Sequence, residues 1–108
     1  MKDWYSGLEA RYRHFPRDVQ ILNVVSDLEK AMRMHDVDLN ASRNHLYRAL
    51  ILLQYMADDP KWRKALRELL RLKTCVASTL TDHPFGSIEQ IIQAALGLNP
   101  DAYQRMQG

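Results

Sequence analysis

Lys61, Arg63, Lys64, Arg67 and Arg71 crowd a segment whose one acidic residue is Glu68. With Lys73 they give residues 61–73 a charge of +5, so the rest of the chain carries −3 of the overall +2. Projected on a helix, these cations fill one half of the wheel, opposite Trp62, Ala65, Leu66, Leu69, Leu70 and Leu72. A basic face of this kind attracts nucleic-acid phosphate, an acidic protein surface or anionic lipid. It also suits plain solvation, with Lys64, Glu68 and Arg71 paired along the helix at small gain. Nucleic acid usually meets more than one basic element, and only Arg11, Arg13 and Arg17 could supply a second. Plain solvation is the favoured reading of this face; among binding readings, a protein partner, acidic where it meets the face, comes before nucleic acid.

The other residues capable of chemistry do not assemble into a reaction centre. His35, Asp36 and Asp38 are ligand types close in sequence, but no second cluster completes a metal site and no paired His at i, i+4 occurs. His35 projects onto the apolar face of its helix, where a hydrogen-bonded core histidine is the commoner outcome. His14, His45 and His83 fall at helix ends or on mixed faces. Cys75 would need a base and an orienting group to act as a nucleophile, and the sequence sets no His beside it. Asp58-Asp59 reads as a helix start. Without a Gly-rich phosphate loop or a strained nucleophile elbow, the chain is expected to be non-enzymatic and to carry no cofactor and no metal.

Near the C-terminus, Ile88 to Leu98 followed by Asn99-Pro100-Asp101-Ala102-Tyr103 has the outline of a helix-turn-helix over 88–106. The match is partial. Gln93 stands four residues before Gly97 where close packing favours Ala, and Asp101 would oppose phosphate. An ordinary helix corner is the better account.

The elements that must position these residues are all helical. Pro16, Pro60, Pro84 and Pro100 punctuate the chain. A first helix over 3–14 carries Trp4, Tyr5, Leu8 and Tyr12 at helical spacing, with Phe15 just beyond. Docking of that stripe onto the bundle is expected; insertion in a membrane surface or exchange between subunits are the alternatives. A second helix, 17–35, gathers Ile21, Val24, Val25, Leu28, Ala31 and Met32 on one arc, with Gln20, Asn23, Asp27 and Lys30 opposite. Asp38 or Asn40 caps a third, 41–57. A fourth, starting at Asp59-Pro60, ends by Asp82. Ser87 and Gln90 form a capping box for a fifth, which Gly97 closes, and a short last helix ends near Met106.

The third helix differs from the rest. Between Leu46 and Ala57 only Arg48 and Gln54 are clearly polar, and Tyr47, Leu50, Ile51, Leu52, Tyr55 and Met56 distribute round its circumference. Such a rod must be covered on every side, which implies a central position or a subunit interface.

At 108 residues, 46% apolar and 26% charged, the chain suits one domain over 1–108. The expected fold is all-α: a compact bundle of four main helices plus one or two short C-terminal helices. One cysteine, a polar start and no apolar run longer than Ala49–Leu53 point to a cytoplasmic protein without a membrane span. The function class these observations favour is a small regulatory or interaction bundle that binds proteins and self-associates as a homo-oligomer.

Overall fold

The computed structural model describes residues 2–99, with side chains from Gly7 onward. Five α-helices and one 3₁₀ segment follow in order: α1 (Lys2–Arg13), α2 (Arg17–Met34), α3 (Leu39–Ala57), the 3₁₀ segment (Pro60–Ala65), α4 (Leu66–Ser78) and α5 (Ile88–Gly97). Among the described residues there is no strand. The fold is all-α, and its Cα radius of gyration of 13.3 Å suits a compact chain of this length, about 13 Å for 100 residues.

Local chemistry sets the helix starts. Asp38 caps α3 by accepting from the Ala41 N–H at 3.1 Å. Asp59 accepts from the Lys61 N–H at 3.0 Å, and Pro60 spends no donor in the first turn. Ser87 and Gln90 form a reciprocal capping box: Ser87 Oγ accepts from Gln90 N at 3.1 Å, and Gln90 Oε1 from Ser87 N at 2.9 Å. A Cβ at Gly86 would come within 2.9 Å of that Gln90 oxygen.

α2 and α3 make the most extensive contact. α3 also meets α1, the 3₁₀ segment and α4, while α5 lies against α2 and α4. One contiguous apolar cluster results, with Leu28, Leu53, Met56 and Leu69 fully enclosed. Leu8 and Tyr12 dock α1 onto this core; the side chains of Trp4 and Tyr5 lie outside the described ones. No described helix is long and apolar enough to cross a membrane.

The structure corrects several sequence expectations. The helix expected over 60–80 divides at Ala65, whose φ of −110° and ψ of 17° leave the α region. At three residues per turn, the 3₁₀ segment turns Trp62 and Ala65 inward together and leaves Lys61, Arg63 and Lys64 outside. α4 stops at Ser78, in keeping with an end by Asp82. Gln20 and Asp27, expected on the polar side of α2, are buried, whereas Met32 is 41% exposed. His35 lies past the end of α2 and is exposed, so it is not a core histidine. Gly97 ends α5 without a positive φ. The short helix expected to end near Met106 lies outside the described residues.

α3 is central, but it is not sheltered round its full circumference. Leu46, Ala49, Leu52, Leu53 and Met56 are buried, Leu50, Ile51 and Tyr55 are half-buried, and Tyr47 is 51% exposed.

Candidate functional site

The open side of α3 continues onto α4. Tyr47, Ile51, Gln54 and Asp58 share one face of α3, and Leu66, Leu70, Lys73 and Ala77 share one face of α4, by their i, i+3/i+4 spacing. Lys73 Nζ donates to Gln54 Oε1 and joins the two rows side by side. The outcome is an outer strip with a polar bridge at its middle, Tyr47 and Ile51 towards one end and Leu66 and Leu70 towards the other. Leu70 is 44% exposed and Leu66 36%.

A basic row borders this strip. Arg67 and Arg71 follow Leu66 and Leu70 by one position, about 100° round the helix, and Arg63 and Lys64 precede them on the 3₁₀ segment. All five predicted cations are exposed. Lys61 pairs with Asp59 at 3.1 Å; among the described residues Arg63, Lys64, Arg67 and Arg71 form no ion pair. The expected pairing of Lys64 and Arg71 with Glu68 is therefore not made. On its other side the row reaches an apolar groove of about 510 Å³ between α4 and α5, where Arg71 and Glu68 stand beside Leu72, Cys75, Phe85 and Ile91.

A buried polar network, which the sequence reading missed, holds the 3₁₀ segment in place. Gln20 Nε2 donates to the Tyr12 carbonyl at 2.8 Å and to Asp59 Oδ2 at 3.3 Å, and its Oε1 accepts from Trp62 Nε1 at 2.6 Å. The Tyr12 hydroxyl donates to the Gln20 carbonyl. Burial, reinforced by the Asp27 charge, pushes the Tyr12 phenol up and keeps it a neutral donor. A second buried group, Asp27, accepts from His45 Nδ1 at 3.1 Å and pairs with Arg48 Nε at 3.4 Å.

Burial by itself would raise the Asp59 carboxyl. The Lys61 N–H, the Lys61 ammonium and the Gln20 amide together outweigh it and hold the group below the ordinary carboxylate range. Stability from such a group is fully present above the unfolded value of about 3.9 and is lost as pH falls through the lower folded value. Asp59→Ala should cost about 1–2 kcal/mol at neutral pH. Urea titrations should show the gap to wild type narrowing below about pH 4; a gap as wide in acid as at neutrality would contradict this account.

The remaining candidates stay apart. Among the described residues no three His, Cys, Asp or Glu side chains gather as a metal site would require, and His35, Asp36 and Asp38 are all exposed. Cys75 is half-buried in the α4–α5 groove, whose lining includes no histidine. Of the outlined helix-turn-helix only α5 is described, and its second helix lies outside the described residues. Compared with known proteins, the chain matches no family model, no curated protein and no solved structure.

Proposed function

We propose that this chain is a small non-enzymatic interaction protein that works by binding other proteins and self-associates through the outer face of α3 and α4. The observation that carries the reading is the outer strip, where Tyr47 stands in water beside half-buried Ile51 on α3 and Leu66 and Leu70 stand in water on α4. Single exposed apolar residues are ordinary; here two apolar pairs flank one polar bridge on a shared face and are rimmed by charge, a mixture that suits an interface. The basic row supplies long-range attraction for an acidic partner surface and sets orientation on encounter.

Sedimentation of the purified chain over rising concentration tests the reading. The expected result is a reversible dimer that becomes a monomer when Tyr47→Asp and Leu70→Asp are combined. Both positions are exposed, so the melting of the isolated chain should change by only about 0.5 kcal/mol per site. A monomer throughout, or a dimer that survives the double variant, would overturn self-association through this face. Mixed DNA and RNA give the contrasting arm. Retention that falls steeply with salt and disappears on reversing Arg63, Arg67 and Arg71 would assign the basic row to phosphate instead.

A further inference from the structure

A separate concavity of about 390 Å³ lies where α1, α2 and α3 meet, within the size range of small-molecule sites, about 300–1,000 Å³. Three permanent cations reach it from three helices: Arg11 from α1, Lys30 from α2 and Arg48 from α3. One carboxylate lines it, Asp27, and that group is buried and already engaged by His45 and Arg48. Arg11 and Lys30 form no ion pair among the described residues. The cleft therefore holds two cations in excess of its carboxylate.

Like charges converging on a concave wall repel, and a low-dielectric wall focuses their field on whatever enters. Here the wall is apolar as well as basic. Leu8, Phe15 and Leu52 line it, and Phe15 is 38% exposed. A bare inorganic ion would use the cations and waste the apolar surface; a neutral hydrocarbon would do the reverse. The Asp27 carboxylate fixes the His45 ring through Nδ1 and leaves Nε2 as its second hydrogen-bonding atom. Asn23 and Ser26 add polar groups at the same cleft.

We infer that this cleft binds a small organic anion, with a phosphate or carboxylate head between Arg11 and Lys30 and an apolar body against Phe15, Leu8 and Leu52. The guanidinium fork of Arg11 suits either head, since both offer paired oxygens. The site is independent of the α3–α4 strip, and it stands or falls without it.

The test is a titration of the full chain with phenyl phosphate, and in a second arm benzoate, followed by NMR at the His45 ring. Inorganic phosphate and phenol are the controls. The expected result is a saturable shift with at least one of the two organic anions, at least about tenfold tighter than with either control. Combining Arg11→Gln with Lys30→Gln should weaken that binding by about tenfold or more and leave melting unchanged, because both side chains are exposed. Combining Arg63→Gln with Arg67→Gln should leave it unchanged. Shifts that never saturate, a double variant at Arg11 and Lys30 that binds as wild type does, or equal loss in the Arg63 and Arg67 variant would each overturn the site.

Discussion

Trp62→Ala is expected to destabilise the chain by about 3–5 kcal/mol, the usual cost of emptying a buried tryptophan site. Small domains have about 5–15 kcal/mol in total, so this variant should be near the limit of folding. Trp62 is 1% exposed and heads the fully enclosed side chains by volume. It also performs three tasks at once. Its ring fills the space beneath the 3₁₀ segment, its indole N–H donates to Gln20 Oε1, and Arg17 sits over its face with the guanidinium carbon 6.0 Å from the centroid. Alanine removes all three and orphans a buried amide oxygen. Trp62→Phe retains most of the apolar contact and should cost less, about 1–3 kcal/mol, chiefly through that oxygen. Urea unfolding measures both. A loss under about 1 kcal/mol for the alanine variant would mean that the segment can collapse onto the gap, contrary to the close packing of such interiors. Because Lys61, Arg63 and Lys64 ride on this segment, amide exchange over 61–65 should quicken in the same variant.

The all-α fold was readable from the sequence because its start signals are local. Asp59-Pro60 and the Ser87–Gln90 pair act within one turn, and the periodicity of residues 21–31 needs no partner to be seen. The two buried polar residues of α2 were not readable, and the reason is distance along the chain. Gln20 finds its indole partner 42 residues away and Asp27 its imidazole 18 residues away. Periodicity alone gives the direction of a buried arc, not its width. On the wheel Gln20 stands 40° from Val24, and Asp27 stands 40° from Ala31, so a slightly wider arc encloses both. α3 posed the opposite difficulty. Being apolar on every side, it gave no indication of which side remains open, and only the packing of the other helices around it leaves Tyr47 facing water. The cleft was equally hidden, since Arg11, Lys30 and Arg48 are unremarkable on their own helices and converge only when the three helices pack.

Gln20→Met should cost about 2–4 kcal/mol although it preserves length, flexibility and nearly all of the volume. Core exchanges of this size usually cost under about 1.5 kcal/mol, so any excess measures lost hydrogen bonding. The thioether cannot donate, which leaves the Tyr12 carbonyl without the bond at 2.8 Å, and it accepts too weakly to replace the amide oxygen for the Trp62 N–H. Asp59 loses only its 3.3 Å contact and keeps both bonds to Lys61. A double-mutant cycle with Trp62→Phe isolates the central bond. Once the indole N–H is gone, Gln20→Met has one fewer group to orphan, so the two losses should fall short of additivity by about 1–2 kcal/mol. Additive losses would show that the amide and the indole act independently, and the network would then reduce to packing. The variant also bears on how α1 is seated. Gln20 grips the Tyr12 carbonyl, and Leu8, Arg11 and Tyr12 form the α1 wall of the basic cleft. Loosening that grip should therefore raise amide exchange along α1 ahead of α5, which packs on α2 and α4.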